Sequence, residues 1–527
     1  MSDTLFDRAC AQAPLGMEIS VIAAEQPERI ALWSEAGRLT FGELNAQANQ
    51  LVYRLRMAGL RAGDGVALVC SNRLEFAVVR FAAHRAGLRL TPVNWHLSPQ
   101  DIHYIVENCE ARALFLDTRS ASLAPLCEQM PGLALNVSIG GKLPGFVAWE
   151  AALDGMEMRD IPDPSLGSLM MYTSGTTGRP KGVSRKQPDP AQAAGMQQLF
   201  TALFQFQPET GRDRALTTGP LYHSGPINLC LTTPLTAGIG TVLMDKWEPE
   251  RMLALIEEYQ ITHTFCVPTM FNRLLQLPEA QKQRAQLSSL RFVIHGAAPC
   301  SKDTKRRMLD WFGTILWEIF AGTEGPGTIV SPQEWLAKPG TVGRSAPGQV
   351  RILDDQGIEL PAGEVGGVYL PNPAASRFEY FKDPDKTAAA QRGDYFTAGD
   401  IGYLDADGYL FLTGRSAEVI ISGGVNLYPQ EMDDVLARHP AVQDVACVGA
   451  PHHDLGEEVK AVVVLKDNEA ADAAQVEALL AFCGQHLARQ KWPRSFDFVG
   501  ELPRSEAGKV LRGQLRARYW ADCSQAL

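Results

Sequence analysis

The sequence predicts an α/β fold, with a large N-terminal body followed by a small α+β domain. Three observations carry this. Short apolar runs alternate with helix-period segments through the first 350 residues, the pattern of a layered strand–helix body. Beyond that point the chain turns to strand–turn–strand units with Gly and Pro at the turns. Its 527 residues also exceed what one hydrophobic core supports, so two or more domains are expected. The boundary falls at about Arg415, giving domains 1–415 and 416–527.

The elements follow in order. "GVALVC" (65–70) reads as a buried strand and "LEFAVVRFAAHRAG" (74–87) as the helix behind it. "DIHYIVENCE" (101–110) predicts a helix and "ARALFLD" (111–117) a strand. "SLMMY" (168–172) is a strand that feeds a Gly/Thr-rich loop. "PERMLALIEEYQ" (249–260) is a helix with Pro249 just inside its start, where a missing N–H costs nothing. "RFVIHG" (291–296) and "TILWEIF" (314–320) are further strands. In "DIGYLDADGYLFLTGR" (400–415), the "DADG" at 405–408 marks a hairpin turn. From "YPQEMDDVLARHP" (428–440) a compact unit begins, with strands at 444–451 and 459–466 and an amphipathic helix at 475–490.

Composition excludes several function classes. A formal net charge of −11 argues against nucleic acid as the partner. None of the ten cysteines pairs at C-x-x-C spacing, so neither a zinc nor a dithiol site is expected, and a reducing compartment is. The N-terminal stretch lacks a basic segment followed by an apolar one, and no apolar run approaches the roughly 18 residues of a membrane helix. A cytoplasmic protein without a membrane span is expected.

The chemistry starts at "YTSGTTGRPKGV" (172–183). Two glycines let the backbone curl so that several N–H groups face one anion. Hydroxyl side chains add donors and Lys181 adds positive charge. The spacing differs from a Walker loop, in which Lys follows the second Gly directly. Here Gly175 and Gly178 are three apart and Lys181 precedes a Gly. Such a cradle holds a triphosphate without clamping it, which suits a departing pyrophosphate.

This stretch resembles the phosphate-loop signature of the adenylate-forming superfamily, which includes acyl-CoA synthetases. Further motifs follow in family order over nearly the whole chain. "VIHGAAPCS" (293–301) resembles the adenine-side turn, "IFAGTEG" (319–325) the Tyr-Gly-x-Thr-Glu motif, "YFTAGDIGYL" (395–404) the Thr-Gly-Asp motif, "GRSAEVIISGGVNLYPQE" (414–431) the domain junction and "LPRSEAGKVLR" (502–512) the C-terminal lysine motif. The resemblance implies a large N-terminal adenylation domain and a small mobile C-terminal domain. It implies nucleotide contacts from Thr173, Ser174, Gly175, Thr176, Thr177, Gly178 and Lys181, with Gly296, Ala297 and Ala298 beside the adenine. Phe320 stands where the family has a Tyr against the base. Thr323 would contact phosphate, Glu324 would hold Mg²⁺, Asp400 and Arg415 would reach the ribose, and Lys509 would be the catalytic lysine.

The implied reaction joins a carboxylic acid to AMP, with ATP and Mg²⁺ as reactant and cofactor, and then transfers the acyl group to coenzyme A. An amine or amino-acid acceptor, as in coronafacate ligases, is the alternative. Two departures bear on this choice. The family's hinge residue, two after the Arg, is usually Asp or Lys, and here it is Ala417. His223, in "GPLYHSGPINL" (219–229), resembles the residue between the acyl pocket and the thiol channel. The stretch 323–344 is similar to that of synthetases for bulky or alicyclic acids. A basic run at Arg489, Lys491 and Arg494 would face CoA phosphates.

Overall fold

The computed structural model describes residues 4–127, 130, 132–173, 179–346, 348–374, 377–466, 469–505 and 508–521. The chain forms two compact units. The first comprises Met1–Cys266, Gln276–Ile294 and Asn372–Ala389, and the second Val267–Leu275, His295–Pro371 and Ala390–Leu527.

A parallel sheet organises the first unit. Its strands run in the order Val147–Ala148, Leu135–Ile139, Ala111–Asp117, Gly65–Val69, Arg89–Val93 and Ser168–Leu169, each parallel to its neighbour. The near-continuous apolar strands are explained by burial on both faces. Val66, Leu68, Ala113 and Phe115 point into one cluster with Leu51, Phe76 and Phe81 from the helices Phe41–Met57 and Leu74–Arg85. Ala67, Val69, Leu114 and Leu116 point the other way, into a cluster with Ile102, Ile105 and Val106 of helix Pro99–Asn108. That helix starts two residues earlier than the sequence suggested, because Ser98 caps it by accepting from Asp101 N–H and Pro99 occupies the first turn. Six neighbouring strands of a second, eight-stranded sheet run Phe292–His295, His263–Cys266, Arg214–Thr217, Gly240–Leu243, Ile30–Ser34, Gly37–Thr40.

The expected single strand at 168–172 is in fact two. Ser168–Leu169 closes the parallel sheet, and Met171–Thr173 joins a separate antiparallel sheet with Lys181–Arg185 and Phe378–Tyr380. The fully buried Met170 marks the handover.

Two further sheets lie in the second unit. In one, Tyr409–Arg415 lies between Thr341–Arg344 and Asp400–Leu404, and Gly366–Pro371 follows. The predicted hairpin is present. Asp405 accepts from the N–H groups of Asp407 and Tyr409 through its side chain, and Gly408 takes the left-handed conformation, φ 82°, that closes the turn. In the other, Val442–His452 and Gly456–Leu465 form a long antiparallel pair flanked by Ile420–Ser422 and Ser495–Phe498. Period-2 alternation again divides the faces. Val445, Cys447, Ala461 and Val463 pack with Leu436 and Leu479, while Ala446, Val448, Val462 and Val464 pack with Leu502 and Leu515.

Candidate active site

In the first unit, the phosphate-loop signature is framed by an antiparallel strand pair that sets Thr173 directly opposite Lys181. Ser174, Gly175, Thr176, Thr177 and Gly178 lie outside the described residues. The frame has its own fit. A Cβ on Gly182 would come 3.0 Å from the Tyr172 ring, so the glycine after the lysine makes room for that ring. The Tyr172 hydroxyl donates to Asn108 Oδ1 at 2.5 Å. The Lys181 ammonium stands 5.0 Å from the Tyr380 ring centroid, a cation–π placement. Sequence reasoning gave Tyr172 and Gly182 no role, although both stand inside the motif.

His223 follows a turn closed by its own N–H donating to Pro220 C=O. Its Nε2 is closed off from solvent with no hydrogen-bond partner among the described residues. Burial pushes the imidazole down to about 4, so it stands neutral at physiological pH.

The second unit gathers the remaining sites. Gly296 lies hard against the strand Leu316–Phe320, where an added Cβ would sit 2.6 Å from Ile319 C=O. The next residue, Ala297, is held at φ 67°, a conformation uncommon outside glycine. Ala298 continues this turn. Phe320 ends its strand opposite Thr328. Thr323 and Glu324 then form the tip of a loop whose base is closed by reciprocal bonds, Gly322 N–H to Gly325 C=O at 3.1 Å and the reverse at 3.3 Å. The Glu324 carboxylate folds back toward Gly322, where a Cβ would lie 3.0 Å from Oε2. A Cβ on Gly325 would overlap the Phe396 ring, so this loop and the "YFTAGD" segment touch.

The "DADG" turn sets the register that places Asp400 opposite Arg415. Arg415 Nε donates to the buried Asp400 Oδ1 at 3.1 Å. Just beyond, Ser416 binds Gly399 C=O twice, through N–H at 2.8 Å and Oγ at 3.2 Å. The Ala417 side chain is exposed.

Lys509 sits on a tight loop. Ser505 N–H donates to Lys509 C=O at 2.8 Å, and Lys509 N–H donates to Ser505 Oγ at 3.2 Å. Arg504 braces the loop from outside, donating to Gly508 C=O at 2.6 Å and to both Asp444 carboxylate oxygens at 2.8 and 2.7 Å. Gly508, at φ 74°, presses so closely on Thr269 that a Cβ would overlap its Oγ1. Burial, seconded by Arg415, lowers the Lys509 ammonium below the usual lysine range, while Glu418 and Asp400 oppose this. Thus Asp400, Arg415 and Lys509 share one electrostatic neighbourhood. Arg504 and Asp444, which place the lysine, were not singled out from sequence. In the basic run, Lys491 is committed to Glu431, with 2.7 Å to each carboxylate oxygen.

No group of three or more His, Cys, Asp or Glu suited to a metal occurs among the described residues. Glu324 therefore offers one hard oxygen donor group. That fits Mg²⁺, which takes one or two protein carboxylates and completes its shell with phosphate oxygens and water. No helix is long and apolar enough to cross a membrane.

Residues 20–377 match the family model described as AMP-binding enzyme, and residues 431–509 match the AMP-binding enzyme C-terminal domain. The chain is 31% identical over 520 residues to the fatty acid–[acyl-carrier-protein] ligase ScoC of Streptomyces coeruleorubidus, covering 95% of this chain and 96% of that one. It is 31% identical over 505 residues to the indoleacetate–CoA ligase of Aromatoleum aromaticum, covering 94% and 96%. Its fold is similar to that of the amide bond synthetase McbA from Marinactinospora thermotolerans, with a TM-score of 0.80, 27% identity and coverage of 96% and 99%.

Proposed function

Because the chain belongs to the AMP-binding enzyme family, we propose that it activates a carboxylic acid as an acyl-AMP and passes the acyl group to the thiol of coenzyme A. The observation that carries this reading is the convergence of Asp400, Arg415 and Lys509 in the second unit. A carboxylate paired with an arginine suits the two hydroxyls of a ribose. A desolvated ammonium beside them suits the anionic phosphate attached to it.

In the first step the acid's carboxylate oxygen attacks the α-phosphorus, a P–O bond to the acyl group forms, and the bond to pyrophosphate breaks. Two anions approach and negative charge grows on the α-phosphoryl oxygens, so positive groups placed in advance are the main catalytic resource. Lys509 provides one, in a partly buried site where its charge is poorly screened. Lys181, with the loop of Ser174, Gly175, Thr176, Thr177 and Gly178, holds the departing pyrophosphate. Thr323 donates to phosphate, Phe320 stacks on the base, and Gly296, Ala297 and Ala298 border it. Glu324 would hold Mg²⁺, which would supply charge neutralisation at the triphosphate.

In the second step the thiol sulfur attacks the acyl carbon and loses its proton to solvent, the thioester C–S bond forms, and the acyl C–O bond breaks to release AMP. The segment 416–527 acts as the mobile domain, turning about Ala417 relative to 1–415, and His223 lies between the acid and the incoming thiol. The acid is a fatty-type or cyclic carboxylic acid.

The three relatives carry three different acceptors in their names: a carrier protein, coenzyme A and an amine-derived amide. An amide-forming reading is therefore kept as second, favoured by the commitment of Lys491 to Glu431 and by the apolar hinge residue Ala417. The test is acid-dependent ATP–pyrophosphate exchange across an acid panel, followed by mass analysis of products made with CoA or with an amino-acid mixture. Thioesters are expected. Amides without thioesters would move the assignment to the second reading, and no AMP from any acid would end both.

A further inference from the structure

Behind the adenine side of the site lies a buried charged cluster that the proposed reaction does not use. His295 and Lys305 are both 0% exposed, and Glu318 is 8% exposed. Lys305 Nζ donates to Glu318 Oε2 at 2.5 Å, and His295 Nε2 lies 3.6 Å from the same oxygen. The Lys305 ammonium also stands 5.1 Å from the ring centroid of buried Trp335, and the His295 ring meets Phe271 edge-on at 5.1 Å. Neither ring nitrogen of His295 has a hydrogen-bond partner among the described residues. Burial pushes the imidazole well below its usual range, and Lys305 adds to this, so the ring is neutral.

Such a cluster is poor value as a stabiliser. Desolvating two charges offsets much of their attraction, and apolar residues of similar volume often serve as well. Its position suggests another use. His295 immediately precedes Gly296, and Glu318 stands two residues before Phe320 on the same strand, so both point to the same side. One residue on from the His295–Glu318 contact, Gly296 abuts Ile319. Apolar contacts are nondirectional, whereas the Lys305–Glu318 N–H···O bond has angular preferences that fix the strand of Phe320 on the helix Lys302–Phe312, with the His295 ring set 3.6 Å from the same carboxylate.

We propose that Lys305, Glu318 and His295 are positioning residues that hold the Gly296–Ala298 turn and Phe320 in the arrangement that grips the adenine. This inference rests on the ATP-dependent reading above, but none of the three residues touches the reacting atoms.

Lys305→Met alone leaves a carboxyl buried without its cation and loses stability under either interpretation. The decisive variant is the pair Lys305→Met with Glu318→Leu, which removes both charges and retains the bulk. A purely structural role predicts that melting temperature and nucleotide kinetics recover together. The positioning role predicts a melting temperature within about 3 °C of wild type with KM for ATP raised about tenfold. In that case kcat and the KM for the acid stay within about twofold, and preference for ATP over GTP falls about tenfold. Wild-type KM and wild-type base preference in the folded pair variant overturn the proposal. Should the pair fail to fold, His295→Phe exchanges the polar ring for a somewhat larger apolar one and, at a melting temperature within about 3 °C of wild type, is read the same way: raised KM supports, unchanged KM overturns. Absence of acid-dependent exchange in the unmodified enzyme would count against the ligase reading instead. Calorimetric titration of ATP and GTP into wild type and pair variant then decides the cluster's role by the same affinity ratio.

Discussion

Lys181 and Lys509 carry the same side chain into different settings. Lys181 begins a strand, is paired across to Thr173, and lies over an aromatic ring. Lys509 rides a short loop closed by Ser505, braced by the Arg504–Asp444 pair and pressed against Thr269 through Gly508. Around Lys509 stand Arg415, Glu418 and Asp400, and burial weakens its hold on its proton. A lysine on a regular strand is a standing charge. A lysine that is desolvated beside an arginine holds its charge at a cost, which an arriving phosphate or carboxylate would reduce. In the proposed reaction this contrast would separate a binding cation, Lys181, from a reacting one, Lys509.

Removing the reacting cation has the largest expected effect. Lys509→Ala lowers acid-dependent pyrophosphate exchange by at least roughly 10²–10³-fold, the scale of losing one transition-state charge donor, while calorimetry still finds ATP binding. Exchange near the wild-type rate would remove Lys509 from its role. Lys181→Ala sharpens the distinction from the other side. A charged hydrogen bond lost from the ground state and the transition state alike raises KM for ATP about ten- to a hundredfold with less change in kcat. A fall in kcat equal to that of Lys509→Ala would erase the difference between the two lysines.

A smaller effect tests how the loop places Lys509. Gly508→Ala forces a Cβ into Thr269 at a left-handed φ, and exchange falls about tenfold with ATP binding little changed. Adding Thr269→Ala recovers part of this. The remainder is the left-handed backbone penalty of about 1 kcal/mol, and full recovery would show the clash alone mattered. The smallest effect at neutral pH concerns His223, whose change is read in stability on the acid side. Its folded value near 4 lies below the ordinary 6.5, so the unfolded chain takes up the proton first as acid is added. Stability is therefore complete above about pH 6.5 and is lost as pH falls toward 4, by at most about 3 kcal/mol, an upper bound because the residue keeps some exposure. His223→Gln should flatten the acid side of the melting-temperature profile. An unchanged acid side would mean that the ring takes up its proton without penalty in the folded state.

Much of this was legible in the sequence. The Gly65–Val69 and Ala111–Asp117 strands were plain because both faces are buried, leaving uninterrupted apolar runs. Asp400 and Arg415 were readable as motif residues and the "DADG" turn between them as a hairpin, whereas their pairing across it was not foreseen. The break at Met170 was hidden, because a strand that changes sheets keeps the same apolar pattern on each side. Lys305 was missed because a lysine in "KDTKRRMLDWF" reads as surface charge. Its signal was periodicity: Met308, Leu309 and Phe312, at three, four and seven residues on, share its buried face. Arg504 and Asp444 are 60 apart in sequence, and only folding brings them together.

The attachment of Ser416 bears on how the proposed rotation would proceed. Its amide and its hydroxyl share a single acceptor, the carbonyl of Gly399. The hydroxyl can leave by side-chain rotation, whereas the amide leaves only when the backbone moves. In the proposed rotation, movement past Arg415 would therefore start with loss of the Ser416 amide bond, and the small, solvent-facing Ala417 would add no side-chain contact to be broken.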